Sequence, residues 1–256
     1  MALRKWTDHE TCRWLQTPLG EALLTLEGRL AEDVLNGVFG EETLQLGLWG
    51  ESRPFVRFTR TQRAAVLTDS LPENMAAGAH IAIGEYHRLP VASDSIDSVI
   101  LPHTLDFSDR PHAILREVHR VLRADGHLLL MGFRPGGLWG LRRLIPGAAL
   151  PPGADNLLSD RRLKDWLRLL DMRIQHSKGY FFRWPLSGSR RASLSKWEGH
   201  GQRWWSELSA CYMLTAQKRI STLTPVRPVW TKKRKVVGGL AEPSTRISRI
   251  RFEQDR

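Results

Sequence analysis

Cysteine is scarce in this sequence, with two in 256 residues. Cys12 and Cys211 stand too far apart for a metal-ligand spacing and are too few for a disulfide framework, so both are expected to be reduced, buried thiols. Long apolar runs are lacking as well: none approaches the roughly 18 residues that a membrane-spanning helix needs. The first ten residues carry charges where a signal peptide has its apolar core, which predicts a cytoplasmic protein with no membrane span. No internal repeat, metal-ligand spacing or nucleic-acid fold motif is visible. Acidic residues are outnumbered, with 27 Asp and Glu against 38 Lys and Arg for a formal net charge of +11. Eight of those basic residues and three of the acidic ones fall in residues 231–256, so much of the imbalance belongs to a tail. The remainder is ordinary. A content of 41% hydrophobic and 25% charged residues excludes wholesale disorder and suffices for a packed core.

The apolar pattern divides the chain. Residues 1–36 read as an N-terminal helical extension, with Leu23, Leu24, Leu26, Leu30, Val34 and Leu35 on one stripe and Asn36-Gly37 as a stop. Short strands are predicted near 42–48, 64–68 and 79–83, and a clearer one over Ile96 to Pro102. Pro111 opens an amphipathic helix whose face is Ile114, Leu115, Val118, Val121 and Leu122. Asp125-Gly126 then turns the chain into His127-Leu-Leu-Leu-Met-Gly-Phe, the near-continuous apolar run of a strand covered on both sides. Ser159 caps a further helix through Leu170, and strands follow near Met172 and Ala210. Alternating strands and helices imply parallel crossovers and a doubly wound α/β sheet. The segment 178–206 breaks the rhythm and reads as an insertion or lid within a domain spanning 37–228. Residues 229–256 read as a disordered basic tail.

The sharpest motif runs from Gly84-Glu-Tyr-His-Arg-Leu-Pro through Ser95-Ile-Asp-Ser-Val-Ile to Leu115-Arg-Glu-Val-His-Arg-Val-Leu-Arg-Ala-Asp-Gly. It resembles the class I S-adenosylmethionine-dependent methyltransferases of the type 11 kind, and the likeness extends more weakly from Leu44 to about Lys218. Leu138 to Arg143, Leu-Trp-Gly-Leu-Arg-Arg, is similar to a segment of a bacterial subgroup of small methyltransferase-like proteins. The resemblance implies a Rossmann-like fold with a doubly wound, mostly parallel seven-stranded sheet and helices on both faces. It implies S-adenosyl-L-methionine as cofactor and methyl transfer as the reaction.

The family's first motif is an acid followed by alternating glycines, which let the backbone approach the amino-acid end of the cofactor. Here the segment is Gln45-Leu-Gly-Leu-Trp-Gly50. Gly47 and Gly50 are the expected cofactor-binding glycines, and Gln45 stands for the acid. Trp49 occupies the position of the second glycine, where its ring would either fill the methionine pocket or swing away and wall it. Asp69, about twenty residues beyond Gly47, is the expected ribose-binding acid; Asp69-Ser70 also reads as a turn before Pro72. Glu85 stands where the family has an Asp that meets the adenine amino group; a surface-loop glutamate is the alternative. His103 matches a position that faces the active site in many members, and a neutral imidazole there could take a proton from the acceptor. The alternative is a histidine that only hydrogen-bonds its loop beside Asp106.

Trp184, Trp197, Trp204 and Trp205, interleaved with Arg183, Arg190, Arg191 and Arg203, read as a lid packing its aromatic face on the core or as a clamp for a planar substrate. The expected partner is a small-molecule or macromolecular methyl acceptor. A weak nucleic-acid contact through the basic tail is a further expectation. The function of another class is a catalytically silent methyltransferase-like domain acting through protein or RNA contacts.

Overall fold

The computed structural model describes residues 9–50, 55–69, 80–137, 139, 153–154, 156–182 and 209–219. Residues 1–220 form one compact unit and 221–256 a second, and the second lies wholly outside the described residues.

Two helices lead in. Helix α1 spans His9–Leu15 and α2 spans Pro18–Leu35. Thr17 starts α2 by accepting the Gly20 amide at 3.2 Å, with Pro18 at the first helical position. The buried face of α2 is Gly20, Leu23, Glu27, Leu30, Ala31 and Leu35. It is rotated from the stripe predicted above: Leu24, Leu26 and Val34 are only partly buried, because a glutamate takes the centre of the face.

Seven strands follow: β1 (Phe39–Leu46), β2 (Arg60–Thr68), β3 (His80–Ile83), β4 (Ile96–Pro102), β5 (Leu122–Phe133), β6 (Met172–Tyr180) and β7 (Cys211–Lys218). A short 3-10 turn, Phe55–Phe58, enters β2; α3 (Pro111–Val121) connects β4 to β5, and α4 (Asp160–Leu169) precedes β6. The order across the sheet is β3-β2-β1-β4-β5-β7-β6. All neighbours are parallel except that β7 runs antiparallel to β5 and β6. This is the mostly parallel, doubly wound α/β sheet expected from the sequence. The winding reverses between β1 and β4, so their carboxyl ends form the switch-point crevice in which such sheets bind ligands.

Two details differ from the sequence reading. The Asp125-Gly126 turn lies inside β5 rather than before it: Asp125 has φ 61°, and pairing with β4 jumps from Ile96–Leu122 to Ser98–His127. Strand β6 continues to Tyr180, into the stretch read as an insertion. The rest of that stretch, residues 183–206 with its tryptophans and arginines, lies outside the described residues, as do Leu138, residues 140–143 and the basic tail.

The blocks of the methyltransferase-like signature touch in space. Glu117 of α3 accepts the Leu89 amide at 2.9 Å, while Arg120 donates to the carbonyls of Leu89 (3.0 Å) and Val91 (2.9 Å) and pairs with Glu117. The Leu-Pro loop after β3 is thus clamped by the Glu-x-x-Arg of the helix. Lys218 of β7 closes the other end of α3, donating to the carbonyls of His119 (2.9 Å) and Leu122 (2.7 Å).

Candidate cofactor site at the strand ends

The site has two sides. On the β1/β4 side, the chain leaves β1 through Gly47 (φ 90°) and Gly50 (φ 82°), left-handed conformations that glycine adopts without strain. The Gly47 amide still bonds the Leu67 carbonyl of β2 at 2.8 Å. Buried Gln45 donates from Nε2 to the Gly47 carbonyl at 2.8 Å, and its Oε1 has no partner among the described residues. A Cβ on Gly50 would stand 3.2 Å from the Leu24 side chain, so the loop lies directly against α2.

Trp49 is 1% exposed. Its ring lies over His103, with centroids 4.3 Å apart and planes at 32°, and within 6.0 Å of Phe133 and 5.9 Å of Phe107. The ring therefore lies at the ends of β4 and β5. Its Nε1 donates to Glu27 Oε2 at 2.7 Å.

Glu27 is the hub of a buried polar cluster. Its Oε1 receives the Tyr180 hydroxyl at 2.7 Å and lies 2.8 Å from His103 Nε2. The other ring nitrogen, Nδ1, lies 3.0 Å from Asp106 Oδ2, which also accepts the Phe133 amide at 2.9 Å. Asp106 Oδ1 has no partner among the described residues. His103 is fully buried and holds a left-handed backbone, φ 58°, an uncommon conformation for a side chain of its size. Thr104, next in the chain, ties this loop to β1 through the Leu46 carbonyl at 2.6 Å. Burial alone would push the imidazolium down. The charge of Glu27 and the hydrogen bond to Asp106 outweigh it and lift the His103 pKa to about 9. With a carboxylate at each nitrogen, His103 is an imidazolium donating from both. Burial raises the Asp106 carboxyl, against the pull of His103. Burial, reinforced by Glu27, holds the Tyr180 phenol well above its usual range, so it remains a donor.

The β2/β3 side is open. Asp69 follows β2 and Glu85 follows β3 after Gly84, whose amide bonds the Thr68 carbonyl at 2.9 Å. The two strands pair Thr68 with Ile83, so both carboxylates emerge from adjacent strand ends. Asp69 is half-buried and its amide lies 3.2 Å from the Tyr86 hydroxyl; burial and the Asp69 charge both push that phenol upward. Glu85 is exposed, 3.4 Å from His87 Nε2, and Ile83 beside it is an exposed apolar residue.

All six residues singled out in the sequence lie at the carboxyl edge. Gln45, Gly47, Gly50 and His103 gather on the closed side, Asp69 and Glu85 on the open side. Glu27 and Tyr180 were missed. The signal for Glu27 was a gap: an acid at position 27 interrupts a helical stripe that is otherwise Gly20, Leu23, Leu30, Ala31 and Leu35. Neither Cys12 nor Cys211 forms a disulfide, no metal-binding cluster occurs among the described residues, and no helix among them is long and apolar enough to cross a membrane.

A family model described as a methyltransferase domain matches residues 54–130, from the 3-10 turn through most of β5; the match begins after the Gln45–Gly50 segment. The chain is 32% identical over 152 residues to the uncharacterized protein YafS of Escherichia coli K12, covering 57% of this chain and 58% of that one. It is 37% identical over 67 residues to the malonyl-[acyl-carrier protein] O-methyltransferase of Laribacter hongkongensis, covering 26% and 23% respectively. The chain thus spans under two thirds of the length of these relatives. A Haloferax volcanii putative methyltransferase, solved in complex with the Trm112 methyltransferase activator, shares the fold with a TM-score of 0.58 at 14% identity over 86% of this chain and 98% of that one. Residues 54–130 are thus similar to a methyltransferase domain, and the chain shares the fold of solved methyltransferases, enzymes whose cofactor is S-adenosylmethionine.

The residues fit that cofactor on the open side, where two carboxylates, groups that accept from hydroxyl and amino donors, leave adjacent strand ends. They fit at β1, where Gln45 Oε1 is a buried acceptor with no partner among the described residues. Against them stands the Trp49 ring, which takes up the space a glycine would leave clear.

Proposed function

We propose that this chain is an S-adenosylmethionine-dependent methyltransferase acting on a small-molecule or macromolecular acceptor by direct in-line methyl transfer. The observation that carries the reading is the emergence of Asp69 and Glu85 from the adjacent ends of β2 and β3, at the edge where this fold binds its ligand. S-adenosylmethionine, when bound, supplies a methyl group activated by a sulfonium. In this reading Asp69 holds the ribose hydroxyls, Glu85 meets the adenine amino group, and Gly47, Gly50 and Gln45 face the amino-acid end. The protein's contribution to rate is alignment of the acceptor rather than proton removal. His103 is the candidate catalytic residue beside the acceptor. It is held as a charged donor while Glu27 and Asp106 grip it, and would accept a proton from the acceptor only after passing its own to one of these carboxylates.

Trp49 favours a second reading, a catalytically silent domain acting through protein or RNA contacts, since a filled methionine pocket would bar the cofactor. The neighbour bound to Trm112 shows that a protein of this fold can work with an activator, and an accessory protein that opens the closed side is compatible with either reading. Calorimetric titration with S-adenosylhomocysteine separates the two. The first reading expects micromolar binding that Asp69→Ala weakens about tenfold or more; absence of heat from folded wild type contradicts it.

A further inference from the structure

Helix α2 lies before the sheet begins, and nothing in the family signature involves it. Yet Glu27, at its centre, is completely buried and reaches the strand ends. A glutamate in that setting is costly unless its charge is used. Among the described residues it shares His103 with a second acid, Asp106, one on each ring nitrogen. The remaining donors, the Trp49 indole, the Tyr180 hydroxyl and the Phe133 amide, are neutral. One acceptor atom of Asp106 and one of Gln45 lack partners among the described residues. Glu27 Oε2 receives the indole N–H of Trp49, the residue that fills the glycine position.

We propose that Glu27 is a cofactor-binding residue, and that the Trp49 indole N–H occupies the place on its carboxylate taken by the α-ammonium of S-adenosylmethionine. This inference rests on the cofactor reading above and assigns to it a residue from outside the family motifs. Binding then exchanges a neutral donor for a charged one. The ring leaves its place over His103, and the incoming ammonium meets the Glu27 carboxylate. Gln45, neutral where the family has an acid, cannot supply that charge; Glu27 does so from the opposite wall.

The test uses two probes on the full chain. S-adenosylhomocysteine carries the ammonium; methylthioadenosine has the same adenosine and lacks the amino-acid end. Calorimetry is run on wild type, Trp49→Gly, Glu27→Gln and the double variant, each confirmed folded by its thermal transition. Trp49→Gly is expected to bind S-adenosylhomocysteine about tenfold more tightly than wild type, and adding Glu27→Gln to remove that gain and more. Methylthioadenosine is expected to bind all four alike. If Glu27→Gln leaves S-adenosylhomocysteine affinity unchanged or improves it in the Trp49→Gly background, the assignment fails while the cofactor site stands. If neither probe binds any folded variant, the cofactor reading fails and this inference with it. Should the double variant not fold, Trp49→Phe, which keeps an aromatic ring and removes the N–H donor, replaces Trp49→Gly: tighter binding of S-adenosylhomocysteine alone supports the exchange, and equal binding overturns it.

Discussion

The two sides of the strand-end crevice are built on opposite principles. Around β2 and β3 the polar groups are a half-buried carboxylate at the end of β2 and an exposed one after the short strand β3, ahead of a loop clamped by Glu117 and Arg120. Around β1, β4, β5 and β6 they are sealed in: Glu27, His103, Asp106 and Tyr180 hydrogen-bond one another under Trp49, Phe107 and Phe133, with one Asp106 oxygen lacking a partner among the described residues. A group that water can reach costs the fold little and can be lost with little effect on stability. A group buried among its partners leaves each of them stranded when removed. The closed side is therefore expected to carry stability as well as the binding role proposed for it, and the open side, in the proposed reading, recognition alone.

The largest break in that contrast is Glu27→Leu. It strands the His103 cation, the Tyr180 hydroxyl and the Trp49 N–H, and should cost about 3–5 kcal/mol in denaturant unfolding. A loss under about 1 kcal/mol would mean that the cluster is wetter than its burial implies.

Next is pH. The folded-state pKa of His103, about 9, lies above its ordinary 6.5. The stability it contributes is complete below about pH 6.5 and drains away as pH rises through 9, amounting to a few kcal/mol. Denaturant midpoints measured from pH 6 to 10 should fall across that window. Glu27→Gln removes the charge that lifts the imidazole, so its fall should begin at lower pH; coincident profiles for the two proteins would refute the role given to Glu27.

Smaller still is Glu117→Ala, which frees the Leu89 amide and one side of Arg120. About 1–2 kcal/mol is expected, with weakened methylthioadenosine binding through the loop. The smallest effect on stability belongs to Asp69→Ala, within about 0.5 kcal/mol of wild type, while S-adenosylhomocysteine binding weakens about tenfold or more. A variant that unfolds readily instead would place Asp69 among the structural groups.

The fold was legible because its signals are local and repetitive. The apolar run of β5, the Pro111 helix and the Leu-Pro and Glu-x-x-Arg blocks each mark an element, and in space the last two prove to be one contact. The open side was legible for the same reason, since Asp69 and Glu85 sit next to the strand ends that announce them. The closed side was not. His103 is defined by a carboxylate 76 positions earlier in the chain, and its charge state follows from that partner rather than from its neighbours. Glu27 sits in an amphipathic helix, where a glutamate ordinarily faces water, and the gap it leaves in the apolar stripe was the sole sign. Tyr180 falls where strand periodicity gives way to the Trp- and Arg-rich segment, so β6 was read four residues short. Trp49 was visible as a departure, but the direction of its ring depends on α2.

The most direct measurement is the indole N–H resonance of Trp49 in a nitrogen–proton correlation spectrum, assigned by its loss in Trp49→Phe. In the free protein the proton should lie downfield and exchange slowly, bonded to the Glu27 carboxylate. Saturation with S-adenosylhomocysteine should shift it upfield and expose it to exchange, whereas methylthioadenosine should leave it in place. A signal unmoved by saturating S-adenosylhomocysteine would contradict the exchange of indole for ammonium on which the account of the closed side depends.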